Sequence, residues 1–179
     1  GGAIPCTRLD RLAADDARLA YLRARTYGLA PLGPARSAAL VWRVRRRDAV
    51  PVAFDAVNGA ARLLLLGHVS PDGNALGSAL AVGLAIEAMP GERHVEVSFG
   101  DDPFVVPDNL SWMPGQHLLV PPHEVHPNPD VVLTFDASSI DRLGLLRQVA
   151  ESAPLLVAVD HHRSYDDFAT LPLVDVSAP

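Results

Sequence analysis

Residues 63–86 read LLLLGHVSPDGNALGSALAVGLAI, and the order of the parts in that stretch decides the fold. Four leucines make an apolar run, Ser70-Pro71-Asp72-Gly73-Asn74 is turn chemistry, and a small-residue helical pattern follows at once. The expected order is strand, loop, helix. His68, Asp72 four residues on, and Asn74 two further then project from the carboxyl end of a strand, where open α/β sheets place their ligands. Imidazole and carboxylate suit Mn²⁺, Fe²⁺, Zn²⁺ or Mg²⁺, and the adjacent helix N-terminus favours a phosphate. Without that chemistry, Asn74 would be a helix N-cap and Gly73 a turn glycine.

Two later stretches repeat the pattern. VVLTFD, residues 131–136, is a β-branched apolar run ending in Asp136, and LLVAVDHH, residues 155–162, ends in Asp160-His161-His162. Three buried strands would each deliver Asp or His at the carboxyl end. Between them HVEVSF, residues 94–99, alternates with the period of a half-buried strand, and LPLVD at 171–175 reads as a further short strand. Helices are expected over 75–89, stopped by Pro90-Gly91, and over 138–150, capped by Ser138 or Ser139. Strands alternating with helices predict an α/β fold, a mostly parallel sheet with helices on both faces.

The remaining stretches carry less. Asp101-Asp102 reads as a solvated turn rather than a ligand pair, and Trp112 as a core anchor in an irregular connection. His123, Glu124 and His126 resemble a metalloprotease motif only loosely. That motif needs two His four apart on one helical face, and here they stand three apart in a proline-rich loop.

The chain has 179 residues, 15 arginines, no lysine and a net charge of −6. Residues 1–58 hold ten Arg and five acids, whereas residues 59–179 hold five Arg and 16 acids. The domain boundaries expected are therefore 1–58, an Arg-rich, partly helical extension with an amphipathic helix over 7–25, and 59–179, an acidic body entered through a short helix or linker over 55–61. Long duplex nucleic acid is a poor partner for such a body; short or mononucleotide substrates are easier to accept. Cys6, the single cysteine, excludes an intramolecular disulfide and fits a reducing compartment. No apolar stretch approaches the ~18 residues a bilayer span needs, and no charged-then-apolar leader opens the chain, so the expectation is a cytoplasmic protein without membrane contact.

HVSPDGNALGS, TFDASSIDRLG and VDHH, in this order and spacing, resemble the first three motifs of the DHH phosphoesterase superfamily. SFGDD-PFVVP, the Pro-rich LLVPP loop and LPLVD are most similar to its bacterial nanoRNase and pAp-phosphatase branch. The resemblance covers residues 60–179 and implies a two-metal Mn²⁺ site, with Mg²⁺ as alternative. It implies that His68, Asp72 and Asp136 hold one ion and that Asp136 bridges to a second ion held also by His161 and residue 74. His162, with Gly73 and Ser78, would bind phosphate; His162 would be catalytic, and Asp160 would orient its neighbours. Substrates would be short oligoribonucleotides or nucleotide 3′-phosphates, and a homodimer is the candidate assembly. Three departures bear on activity. Asn74 stands where the family has Asp, RSYDD at 163–167 replaces a Ser-Asn dipeptide, and a further acidic motif and a Gly-rich substrate domain are expected beyond Pro179. The alternatives are a catalytically defective nucleotide-binding relative, and a pyrophosphatase or cyclic-dinucleotide phosphodiesterase of the same superfamily.

Overall fold

The computed structural model describes residues 46–178. The helix expected over 7–25, and Arg43 to Arg45 of the arginine cluster, lie outside the described residues. Contacts divide the chain into two units, Gly1–Gly59 and Ala60–Pro179. Of the first unit, helix α1 spans Arg46–Gly59. It replaces the short helix or linker expected over 55–61. Pro51 lies inside it, a residue that normally argues against a helix interior because it lacks the N–H.

The second unit is built on five strands: β1 Arg62–Leu66, β2 His94–Ser98, β3 Val131–Phe135, β4 Leu156–Asp160 and β5 Leu171–Val174. All pairings are parallel, in the order β2-β1-β3-β4-β5. Leu65 pairs with Val97 on one side and Leu133 on the other, and Leu133 pairs with Val157. Their side chains share one face, so Leu64, Leu66, Val132, Leu156 and Ala158 share the other. In β1 and β3 both faces are buried, which is why these two strands read as apolar runs rather than alternating ones.

Helix α2, Gly73–Glu87, covers the first face. Gly83 brings it close to β2, since a Cβ there would stand 3.2 Å from Val97 Cγ2 and 2.9 Å from Leu118 Cδ1. The opposite face is covered by residues after β3. Leu143, Leu146 and Ala150 pack with Leu64, Leu66, Val132, Leu156 and Ala158 into one core cluster, and each fully buried leucine contributes roughly 1.5–3 kcal/mol.

Those covering residues do not form the single helix expected over 138–150. Ile140–Leu146 is a 3₁₀ segment broken at Gly144 (φ 53°, ψ −127°), and only Arg147–Ser152 is α-helical, as α3. The cause is a close approach of two backbones. A Cβ on Gly100 would lie 2.0 Å from the Leu143 carbonyl oxygen, and one on Gly144 would lie 2.5 Å from the Gly100 carbonyl oxygen. Leu145 N donates to Gly100 O (3.2 Å) and Val69 N to Arg142 O (2.8 Å), so the segment is tied to the chain leaving both β1 and β2. Ser139 makes no side-chain cap.

The connection from β2 to β3 wraps the edge of the sheet. Leu118 meets α2 on one side, while Val120 and Val125 join the core cluster on the other. This wrapping changes β2 from the half-buried strand expected. Glu96 and Ser98 are buried, with Ser98 Oγ donating to Val120 O (2.6 Å) and Glu96 Oε2 accepting from His126 N (2.8 Å). His123, Glu124 and His126 thus lie in a covering loop. Trp112 is not the core anchor expected: it is 74% exposed, with its indole N–H donating to Asn109 O. Leu110, two residues earlier, is the buried one. Among the described residues no helix is long and apolar enough to cross a membrane.

Candidate metal centre

The strand order reverses between β1 and β3, and α/β sheets of this order bind ligands outside the carboxyl ends of the strands at that switch point. His68 stands two residues beyond β1, Asp136 directly beyond β3, and Asp160 is the last residue of β4, with His161 and His162 next. Topology alone therefore gathers them.

Asp136 sits with a left-handed backbone (φ 59°), a conformation Asp tolerates better than most residues, and its N–H donates to Val159 O (3.0 Å). This turns the carboxylate out of the strand direction into the cleft. Its position is shared by two groups of ligand atoms, each lying within 4.8 Å of one another. One is His68, Asp72 and Asp136; the other is Asp136, His161 and His162. His161 Nε2 is 3.1 Å from Asp136 Oδ1. The donors are imidazole and carboxylate without thiolate, a set that fits Mn²⁺, Zn²⁺ or Mg²⁺.

His68 is buried, with Nδ1 2.8 Å from the Val69 carbonyl and Nε2 3.9 Å from Asp72 Oδ1. Asp72, not Asn74 as expected, is the N-cap of α2. Its Oδ1 accepts from Asn74 N (2.9 Å) and Ala75 N (3.0 Å), and the Ala75 bond above all holds the carboxyl below its ordinary pKa. The helix end thus fixes Asp72 as a carboxylate. Asn74 lies exposed in the first turn of α2, beside exposed Gly73; Ser78, also exposed, stands further along the helix, and its hydroxyl makes no hydrogen bond among the described residues.

Asp160 is buried at the far side. Its Oδ1 accepts from His161 N (2.8 Å), from His162 N (3.3 Å) and from His162 Nδ1 (2.7 Å). The bond to Asp160 raises the pKa of His162 above that of a free imidazole. The T-shaped contact of the two rings, centroids 5.0 Å apart, sets His161 and His162 at an angle, so they present different faces to the cleft.

Two contributors escaped sequence reasoning. Asp101, read as a solvated turn residue, accepts from Ser70 N at 2.6 Å and so holds the loop between β1 and α2, where Ser70 itself has φ 52°. Arg142 places Nη2 2.9 Å from His68 Nδ1. No spacing rule flags either residue, because each reaches the site from an irregular segment.

No family model matches the chain. In fold it is similar to the crystal structure of an exopolyphosphatase-related protein from Bacteroides fragilis, with a TM-score of 0.65 at 21% sequence identity, over 81% of this chain and 42% of that one. The chain therefore spans less than half the length of that protein.

Proposed function

We propose that residues 60–179 are the catalytic domain of a metal-dependent phosphoesterase of the DHH superfamily, acting on short oligoribonucleotides or nucleotide 3′-phosphates. The observation that carries the reading is that Asp136 belongs to both ligand groups, as a bridging carboxylate must. Motif wording in HVSPDGNALGS, TFDASSIDRLG and VDHH supports it, as does a fold shared with a protein named exopolyphosphatase-related.

Two divalent ions in such a site activate water and neutralise phosphoryl oxygens. The chain's own residues do the rest. His68, with Nδ1 donating to the Val69 carbonyl, offers Nε2 as the ligand atom on the side of Asp72 and Asp136. Asp72, Asp136 and His161 complete the ligand set, with Mn²⁺ the ion of choice and Mg²⁺ the alternative. His162, its Nδ1–H given to Asp160, keeps Nε2 for a phosphoryl oxygen or for protonating the departing oxygen. Asp160 fixes the backbone of both histidines and the ring of His162. The acidic balance of residues 59–179 favours short substrates over long duplexes. The single Cys6 favours the cytoplasm.

Asn74 favours a second reading, a relative that binds nucleotides without turnover, because an amide supplies no charge to the second ion. Calorimetric titration with Mn²⁺, paired with Mn²⁺-dependent release of phosphate or nucleotide from pAp and a diribonucleotide, separates the two. Mn²⁺ binding lost on Asp136→Ala is required by both. Turnover above that variant's background supports the enzyme, and tight nucleotide binding with none supports the defective relative.

A further inference from the structure

We infer that Arg142 grips the substrate's phosphoryl oxygens beside His162, an inference that rests on the phosphoesterase reading above. The 3₁₀ segment carrying it is fixed where it must be to do so. Arg142 O accepts from Val69 N (2.8 Å), its own N donates to Ser139 O (3.2 Å), and three residues later Leu145 N donates to Gly100 O (3.2 Å). Its backbone thus sits against the loop that carries His68, and its guanidinium reaches the rim of the same cleft.

What the guanidinium touches sets it apart. Arg62 is paired with Asp130, and Arg147 with Asp141 and Glu151. Arg142 makes no ion pair with a carboxylate among the described residues, although its charge is felt at both Asp72 and His162. What it touches is His68 Nδ1, at 2.9 Å. That contact is one the site must give up. A guanidinium only donates, and the same ring nitrogen lies 2.8 Å from the Val69 carbonyl; a nitrogen that donates its proton to that carbonyl has no lone pair left for Arg142. His68 needs the Val69 bond to offer Nε2 as a ligand. With that contact given up, the planar fork of Arg142 has no acceptor among the described residues.

Charge decides what that acceptor is. Asp72, Asp136 and Asp160 do not neutralise two divalent ions and a guanidinium together, and Asn74 adds nothing to the negative side. A guanidinium beside such a centre is tolerable only with an anion between them, and phosphate matches the fork by bidentate hydrogen bonding.

The test uses the whole chain, wild type and with Arg142→Ala or Arg142→Lys, and inorganic phosphate as the probe. Mn²⁺ affinity is measured first without phosphate, then phosphate affinity on the Mn²⁺-loaded protein, both by calorimetry, with urea midpoints recorded for each variant. Losing a charge-assisted bond of about 1.5–3 kcal/mol lowers phosphate affinity roughly 10- to 100-fold in Arg142→Ala. Arg142→Lys recovers part of it, and Mn²⁺ affinity is unchanged or tighter because a positive charge has gone. Unaltered phosphate affinity in a folded, Mn²⁺-loaded Arg142→Ala protein overturns the inference alone. Weakened Mn²⁺ binding in the same variant also overturns it and makes Arg142 a positioning residue for His68. A wild-type chain that binds no Mn²⁺ removes the phosphoesterase reading and this inference with it.

Discussion

At the scale of single residues the centre is an arrangement of unequal ligands. His68, Asp72 and Asp136 form a group with two carboxylates, whereas the group of Asp136, His161 and His162 has only the shared one, and Asn74 is uncharged. One Mn²⁺ is therefore expected to bind more tightly than the second, and Asn74→Asp to tighten the weaker site, both visible as two resolved steps in calorimetry. Two equal tight sites in the wild-type chain would count against the assignment. Asp136→Ala, which removes the ligand common to both groups, is expected to abolish both steps. The placement of these side chains at one sheet edge was legible in the sequence because each follows an apolar strand run: Leu63 to Leu66 before His68, Val131 to Phe135 before Asp136, Leu155 to Val159 before Asp160. Arg142 and Asp101 were not. Their side chains arrive from a 3₁₀ segment and a turn, whose geometry comes from tertiary contact rather than from periodicity. The N-cap was misplaced for a similar reason: Asn74 was expected to cap the helix, but Asp72 does, because both are good caps and only the fold chooses between them.

At the scale of elements the sheet is set by how its strands start. Asp130, the residue before β3, accepts from Ala61 N (3.0 Å) and Arg62 N (2.9 Å) with one oxygen and from Arg62 Nη2 (3.1 Å) with the other. It thereby fixes the start of β1 against that of β3. Partial burial pushes the Asp130 pKa up, but these bonds outweigh it and the net shift is downward. A carboxyl depressed in the fold adds stability that is fully present above its unfolded value of about 3.9 and is lost as pH falls through the lower, folded one. Asp130→Ala is expected to cost about 1–2 kcal/mol at neutral pH, and the gap between variant and wild type in urea denaturation should close below about pH 4. A gap that stays constant to pH 2 would place the stabilisation elsewhere. Strand positions were readable from composition, yet the covering segment after β3 was not. Residues 138–150 carry an acceptable helical pattern, and it is the contact of Gly144 with Gly100, more than 40 residues apart in sequence, that breaks it.

At the scale of the molecule, charge governs what the chain can bind. Residues 59–179 carry 16 acids against five arginines. Retention of a long duplex is therefore expected to be negligible at ~0.15 M salt, while pAp or a diribonucleotide binds only with Mn²⁺ present; gel shift against calorimetry distinguishes the two. Turnover by these 179 residues is expected to be slow, because an amide at 74 brings no charge to the second ion and so lowers the barrier less. Robust hydrolysis by the unaltered chain, abolished in Asp136→Ala, would show that an amide at 74 is an adequate ligand. The all-parallel order, with its switch point between β1 and β3, explains why His68, Asp136 and Asp160 stand at one edge: a sheet of that kind collects whatever stands at its carboxyl ends.

The meeting of Gly100 with Gly144 has a consequence for any map of mutational tolerance. Neither position belongs to the candidate ligand groups, but each is closed to every side chain, and changing both together offers no relief because the obstacle is main chain rather than a neighbour that can move aside. In a saturation library scored by activity, these two positions would look as intolerant as His68 or Asp136. Scoring the same library by soluble yield separates them, since replacements of the ligands would pass that screen and replacements of the two glycines would fail it.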